Sequence, residues 1–235
     1  MVLIFNTRNN KFKDNDVRET LAAAIYNSEL SQAAFSNKVR TYSPIPQTSW
    51  GYKLISKDFQ RNDVSLPTTI TLKTPHDPDY LTTANFIKES LENVGVETEI
   101  IAQDQIGLTE TIQNRSFEVL LITTESGHDP DQYIYWHSTQ KESPLLNLSG
   151  ISHPKIDKSL EDGRQKNSLE ERKNAYEDFQ DQFHRNVPAI FLYHPNLYYL
   201  ASTKIKSLNL HNLWTPGNRF SNIGSWYIKE RRPMF

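Results

Sequence analysis

Apolar and polar residues between positions 69 and 124 follow two different periods in turn, which predicts alternating strands and helices. Three short apolar segments rich in β-branched residues are predicted strands: ITLKT, VETEII and FEVLLITT. Between the first two, apolar residues recur at helical spacing from Tyr80 to Asn93, and a shorter helix is predicted near Leu108 to Asn114. Strands that alternate with helices in this way form a parallel sheet with right-handed crossovers.

Residues at the ends of these segments support the same β-α-β-α-β arrangement. Asp77 and Pro78 suit the N-cap and first position of the first helix, and Gly95 suits a left-handed C-cap. VETEII alternates, as expected near a sheet edge, whereas FEVLLI is continuously apolar, as expected of a strand covered on both faces. The predicted fold class is therefore α/β, with a mainly parallel sheet flanked by helices.

The flanking segments add further predicted elements. Val2 to Asn6 is a predicted strand, followed by a helix capped by Asp14 or Asp16. The stretch from Lys38 to Pro67 is rich in Pro, Ser and Tyr without periodicity, and we expect a long ordered loop there. A capping box at Ser168 starts another long helix. The segments AIFLYH and LYYLAS either pair with each other or enter different sheets.

Composition narrows the class of protein. The 235 residues suffice for one large domain or two small ones, and the net charge of -2 leaves no electrostatic footprint for nucleic acid. The absence of cysteine excludes disulfides, thiolate metal sites and cysteine nucleophiles. We find no run of about 18 apolar residues and no signal-peptide pattern at the start of the given sequence.

The loop after FEVLLITT is the best candidate for a binding site. A buried strand delivers it to the carboxyl edge of the sheet, where ligands bind in open α/β folds, and Gly127 permits close approach of a backbone. The candidate ligand-binding residues in this loop are Thr124, Glu125, Ser126, Gly127, His128 and Asp129. Plain helix capping explains the Asp-Pro pair equally well, as it explains the similar sequence at His76.

An aromatic cluster follows the loop and offers further ligand candidates. Tyr133, Tyr135, Trp136 and His137 either pack inward as core or form a platform for a ligand. Trp50, in the Pro-rich stretch, is a candidate because regular packing is less expected there. We predict no metal site, since none of the histidines has zinc-ligand spacing, and no cofactor, since phosphate-loop, dinucleotide and nucleophile motifs are absent.

The order of these features resembles the C-terminal lobe of the family 5 extracellular solute-binding proteins. The features are the strand FEVLLITT, the GHDPD turn, the aromatic YIYWHS and the helix entry in NLSGISHPKIDKSL. The likeness continues at both ends, in LIFNTRNNKFKDNDVRETLAAAI and in NIGSWYI. These proteins are the oligopeptide and dipeptide receptors of ABC importers, so the resemblance implies a lobe of the type II periplasmic-binding-protein fold and peptide capture without chemistry.

The resemblance also implies how the chain is organised and which partners it has. It implies that residues 1–195 form the ligand-binding lobe and that residues 196–235 return toward an N-terminal lobe outside this sequence, so that the chain is a fragment. The implied partners are a peptide or other small solute, that second lobe and an ABC permease. The implied location is extracytoplasmic, in the periplasm or at the cell surface, with the complete receptor a lipoprotein.

Two positions depart from the family's peptide-binding pattern. The family's aspartate for the peptide amino terminus corresponds to Ser126, which has no charge, so that either Glu125 substitutes or the ligand lacks a free amine. Gln105 stands where relatives often present an aromatic wall. Tyr193 and Trp136 are the aromatic walls that the resemblance suggests in this sequence.

Two other classes of function stay open at this point. One is a small α/β enzyme that uses His128, Asp129 and Glu125 as acid–base groups at the sheet edge. The other is an interaction module whose aromatic and Pro-rich segments bind a partner chain.

Overall fold

A five-stranded sheet lies at the centre of residues Met1–Pro195 in the computed structural model. The structure describes residues 1–26, 38–55, 59–125, 127, 129–195, 199–209 and 216–228. The strands of this unit are β1 (Val2–Phe5), β2 (Val39–Arg40), β3 (Thr69–Pro75), β4 (Glu97–Gln103), β5 (Val119–Ile122), β6 (Ala189–Phe191) and β7 (Tyr193–His194). Its helices are α1 (Asn15–Tyr26), α2 (Pro78–Glu92), α3 (Gln105–Asn114), α4 (Tyr133–Trp136), α5 (Pro154–Gln165) and α6 (Leu169–Asn186).

The sheet is mainly parallel, as predicted. Its order is β4-β3-β5-β1-β6, in which β3 pairs parallel with both β4 and β5. Strand β1 is antiparallel to β5 and to β6, so the other four strands share one direction. Strand β4 lies at the sheet edge and β5 inside the sheet, which confirms the positions inferred from their hydrophobic patterns.

Helices cover both faces of the sheet, because alternate residues of each strand point to opposite sides. On one face, Leu3 and Leu121 pack with residues of α1 and α2, such as Leu21 and Ile87. On the other face, the apolar side chains come mainly from α4, α5 and α6: Trp136, Ile156, Leu160, Tyr176, Phe179 and Phe183. The result is a three-layer α/β architecture.

The predicted caps form where the sequence places them. The Asp77 carboxylate accepts a hydrogen bond from the Asp79 backbone N–H at the start of α2 (2.9 Å). Gly95 has a left-handed φ of 84° just after α2. Ser168 accepts from the Glu171 backbone N–H at 3.2 Å, and its hydroxyl also donates to the Glu171 carboxylate at 2.8 Å. Those hydrogen bonds lower the pKa of Glu171.

The second Asp-Pro pair does not start a helix, which corrects the expectation of simple capping. The Asp129 carboxylate accepts from the backbone N–H of Asp131, and the Asp131 carboxylate accepts from that of Tyr133, both at 3.0 Å. Helix α4 therefore begins at Tyr133, three residues after Pro130. Two successive side-chain-to-backbone turns, which Asp readily forms, replace the single cap.

The segment AIFLYH divides between two sheets. Strand β6 pairs with β1 and strand β7 pairs with β2, so AIFLYH enters two different sheets, and no pairing with the described part of LYYLAS is present. Residues 199–202, the described part of LYYLAS, are not in a strand. The backbone hydrogen bonds that AIFLYH makes in the described part of the chain include those to β1, to β2 and to the Thr41 N–H.

The Pro-rich stretch is held to α6 by one buried amide. Gln180 is fully buried; its Oε1 accepts from the Ser43 hydroxyl (2.7 Å) and from the Lys53 backbone N–H (3.1 Å). Its Nε2 donates to the Gly51 carbonyl at 2.8 Å. Three residues of this stretch, Ser43, Gly51 and Lys53, thus hydrogen-bond to a single side chain of α6.

Residues Asn196–Phe235 form a second compact unit. Its described elements are the antiparallel strands β8 (Ile205–Lys206) and β9 (Tyr227–Ile228) and two short 3₁₀ segments. The Trp226 indole N–H donates to the Asn222 side-chain oxygen at 2.7 Å, which fixes the turn before β9.

Candidate functional site

A cleft of ≈ 260 Å³ opens beside the carboxyl end of β5. Its floor and walls are largely apolar, from the sheet, from α3, from α4 and from the loop before α5. The main lining residues are Ile112, Ile122, Thr124, Glu125, Tyr135, Trp136, Leu146 and Leu148. The structure thus brings three of the predicted site residues together: Thr124, Glu125 and Trp136.

Polar groups of the cleft lie on the strand extension after Ile122. The Thr123 hydroxyl hydrogen-bonds to the Tyr80 hydroxyl at 2.7 Å, which ties the start of α2 to this segment. Glu125 is exposed and supplies the carboxylate of the cleft lining. Burial, and secondarily the negative charge of Glu125, raises the pKa of Tyr135, so this tyrosine is a neutral hydroxyl at physiological pH.

Trp136 serves both as core and as a wall of the cleft. Its side chain is 2% exposed and packs edge-on against Phe183, with ring centroids 4.6 Å apart, and against Phe191. Its indole N–H is buried and has no hydrogen-bond partner among the described residues. An unsatisfied buried donor is costly, so an acceptor atom that reached it would be favoured.

His137 lies in a buried network next to the cleft and does not line it. Its ring stacks on Tyr133 with centroids 4.0 Å apart, and its two nitrogens contact the Thr139 hydroxyl (2.8 Å) and the Glu161 carboxylate (3.2 Å). The side chain is 4% exposed. These contacts position the turn after α4, and a direct ligand role for His137 stays a prediction.

Asp129 and Trp50 meet in a second cluster, beside the turn that leads into α4. Arg172 contacts the Asp129 carboxylate at 3.4 Å and lies 5.0 Å from the centre of the Trp50 ring. A Cβ atom added at Gly51 would lie only 2.7 Å from the Pro130 side chain, so the two loops are in close contact. The ligand roles predicted for Asp129 and Trp50 therefore concern one shared surface.

The remaining predicted residues lie elsewhere. Tyr193 is buried, and its hydroxyl hydrogen-bonds to Thr83 and to Lys38, both at 2.9 Å, so it is a core residue of the opposite sheet face in this structure. Gln105 is exposed at the first position of α3, outside the cleft lining. Gly127 is exposed, and Ser126 and His128 lie outside the described residues.

Tyr135, for which either a core role or a ligand role was expected as part of the aromatic cluster, lines the cleft. Other cleft residues, from α3 and from the loop before α5, were not among the predicted site residues. Ile112 lies on α3, one turn after Leu108, and shows only ordinary helix amphipathicity. Leu146 and Leu148 come from an irregular loop, where sequence periodicity gives no information.

The described residues hold no group of three His, Asp or Glu side chains that could bind a metal ion. In the same part of the chain, no helix combines the length and the hydrophobicity that crossing a membrane requires.

Comparison with known proteins shows consistent similarity to one family. The sequence profile of the "Bacterial extracellular solute-binding proteins, family 5 Middle" matches residues 1–144. The oligopeptide-binding protein AppA of Bacillus subtilis is 22% identical over 96% of this chain and 46% of its own length. The chain thus spans about half the length of this curated relative.

Solved structures show the same fold. The structure of B. subtilis AppA in complex with a nonapeptide superposes with a TM-score of 0.82 and 21% identity over 97% of this chain and 50% of that one. DppA from Helicobacter pylori in complex with the peptide STSA superposes with a TM-score of 0.78 and 20% identity, over 97% of this chain and 46% of that one. NikZ from Campylobacter jejuni in complex with Ni(L-His) superposes with a TM-score of 0.75 and 21% identity, over 96% of this chain and 51% of that one.

Proposed function

Because the chain belongs to the bacterial extracellular solute-binding proteins of family 5, we propose that it is one lobe of a peptide receptor of an ABC importer. The receptor captures its ligand between this lobe and a second one and delivers it to the permease. The observation that carries the proposal is the similarity of nearly the whole chain to half of AppA, which was solved with a nonapeptide. The names of the matched relatives describe transport and binding proteins.

The proposal includes a second lobe because this chain matches only about half the length of its relative AppA. This chain corresponds to 46% of the AppA sequence and to 50% of its solved structure. A cleft open at the sheet edge, with residues of β5 and α4 in its wall, is the surface that a second lobe would close over. We place the complete receptor outside the cytoplasm, as the family description states for its members.

The cleft suggests how a peptide would be held. Its apolar walls suit an apolar side chain, since burial of such a group gains about 25 cal/mol per Å². In this proposal the exposed Glu125 carboxylate pairs with the peptide's amino terminus. In the open lobe water weakens that pairing, but closure of a second lobe would exclude water and strengthen it.

No catalytic step is part of this proposal. Of the three acid–base groups that the enzyme hypothesis needs, the Asp129 carboxylate pairs with Arg172, Glu125 is exposed and His128 lies outside the described residues. A function in binding uses the observed cleft without any of these groups acting as an acid or base.

The test is calorimetric titration of the complete receptor with a peptide and with its N-acetylated form. We expect Glu125→Gln to weaken binding of the free-amine peptide roughly 10- to 100-fold, corresponding to a charged hydrogen bond of about 1.5–3 kcal/mol. Binding of the acetylated peptide should not change. Glu89→Gln, an exposed acid on α2, is the matched control.

The two peptides separate the possible results. Equal loss for both peptides would show that Glu125 shapes the cleft and does not bind an amine. An unchanged affinity for both peptides would reject the contact between Glu125 and the peptide's amino terminus. Peptide capture itself is tested separately, by the titration of the unsubstituted receptor.

A further inference from the structure

A second cavity, of ≈ 520 Å³, lies at the opposite edge of the sheet from the cleft. At this edge β3 and β5 begin and the reversed strand β1 ends, so segments distant in sequence meet there. Its lining carries three cations, Arg8, Lys73 and Arg115, and one carboxylate, Glu118. A chain whose overall net charge is -2 therefore has a locally basic cavity.

Two of these cations have only neutral hydrogen-bond partners. The Lys73 ammonium donates to the Ser116 carbonyl at 2.5 Å and lies 3.5 Å from the Thr111 hydroxyl. The Arg115 guanidinium donates to the carbonyls of Ile112 (2.8 Å) and Leu145. Across the described residues, neither Lys73 nor Arg115 has a carboxylate within salt-bridge distance, and the buried Arg115 Nε has no hydrogen-bond partner.

The carboxylates near the cavity are already engaged. Glu118 contacts the Lys11 ammonium at 2.6 Å and accepts from the Thr71 backbone N–H at 2.8 Å. Glu142 contacts Arg8 at 3.2 Å from a side chain that is 70% exposed, where water screens the pair. No carboxylate of the described residues therefore lies within salt-bridge distance of Lys73 or Arg115, and Glu142 acts on Arg115 only from farther away.

The cations also act on one another. Burial, and next the positive charge of Arg8, lowers the pKa of Arg115, although a guanidinium remains charged at neutral pH. Like charges held together around a concave surface are stabilised when an anion enters between them.

We propose that this cavity is a binding site for a phosphate group. Lys73, Arg115 and Arg8 approach it from three different segments, an arrangement that suits the several oxygens of a phosphate dianion. Ser116 and Asn9 line the same cavity, and a hydroxyl and a side-chain amide are groups that donate hydrogen bonds to phosphate oxygens. The site is separate from the peptide cleft, and its occupation does not depend on peptide capture. The phosphate group belongs either to free inorganic phosphate or to a lipid headgroup.

The first arm of the test uses inorganic phosphate. Amide signals of the ¹⁵N-labelled chain are followed by NMR as phosphate replaces chloride at constant ionic strength. We expect saturable shifts at Thr71 and Ser116, and we expect Lys73→Gln to weaken the affinity at least tenfold. Lys155→Gln, an exposed lysine of α5 outside the cavity, should leave the affinity unchanged. Unchanged amide spectra away from the cavity show that the variants fold.

The second arm uses flotation with phosphatidylglycerol vesicles and phosphatidylcholine vesicles. Binding to the first kind alone, reduced by Lys73→Gln, would identify the lipid headgroup as the source. Saturation by inorganic phosphate without vesicle binding would identify free phosphate. Shifts that never saturate, together with vesicle binding that is absent or equal for the Lys73 and Lys155 variants, would overturn the proposal.

Discussion

Replacing Arg18 by methionine should strongly destabilise the fold, because this side chain joins both ends of the α/β unit. Arg18 is 5% exposed on α1. Its guanidinium donates hydrogen bonds to the Asn15 side chain (3.0 Å) and to the carbonyls of Phe12 (2.6 Å), Lys13 (3.0 Å), Asn186 (2.6 Å) and Val187 (3.0 Å). The last two carbonyls belong to the end of α6, where Val187 adopts a left-handed φ of 40°.

The size of the effect follows from these contacts. Burial lowers the pKa of Arg18 to about 10, so the side chain stays charged at neutral pH and its hydrogen bonds are charge-assisted. Methionine would leave the two buried carbonyls, of Phe12 and Val187, without a donor, at a cost of about 1–3 kcal/mol each. Methionine carries no charge that must be desolvated, which offsets part of that cost. We therefore expect the free energy of unfolding to fall by about 3 kcal/mol in total.

Urea denaturation followed by circular dichroism measures this loss. Arg18→Lys should fall between wild type and Arg18→Met, because lysine keeps the charge but lacks the planar set of donors. Arg185→Met, an exposed neighbour at the end of α6, is the control and should change stability by less than about 0.5 kcal/mol. If Arg18→Met stayed within that same margin with an unchanged m-value, the idea that Arg18 joins the two ends would be rejected.

Two further predictions concern the loop contact and the pH dependence. Gly51→Ala should lower the free energy of unfolding by about 1–3 kcal/mol in a thermal or urea melt, because the new Cβ would lie 2.7 Å from Pro130. Gly127→Ala, with open space around it, should be nearly neutral. Equal effects of the two substitutions would refute the contact between the loops. Burial, and secondarily the nearby α-ammonium of Met1, lowers the pKa of His194, so the unfolded chain protonates first. The contribution of His194 to stability should therefore fall as pH drops below about 6.5, in addition to the loss from the buried Met1 α-ammonium, whose pKa burial lowers to about 5. His194→Gln should remove only the His194 component, and identical pH profiles of the two proteins would contradict it.

Most of the fold could be predicted because its local patterns agree with one another. The strands and helices from β3 to β5, the caps at Asp77 and Ser168 and the left-handed Gly95 all follow from residue type and spacing. The reversed direction of β1 could not be predicted, since Val2–Phe5 is apolar and buried throughout and its pattern is the same for either direction. Pairing partners of such strands are decided by tertiary packing.

The site was harder to predict than the fold. Thr124, Glu125 and Trp136 follow from their place after a buried strand, but Ile112 and Leu146 join them only through packing of distant segments. Tyr193 shows the opposite problem: an aromatic residue after a buried strand has the same sequence pattern whether its ring packs inside, as here, or faces a ligand. The basic cavity was not predicted either, because Arg8, Lys73 and Arg115 lie in three separate segments.

The most direct test of the proposed receptor is a thermal-shift screen of this chain and of the complete receptor against di- to hexapeptides. At a concentration of about 100 times the dissociation constant, a bound peptide should add about 2.7 kcal/mol to the stability of the complete receptor. We expect a peptide-dependent rise in its melting temperature and a much smaller rise, or none, in this chain, since the proposal gives this chain only one side of the cleft. No shift of the complete receptor with any peptide would contradict peptide capture.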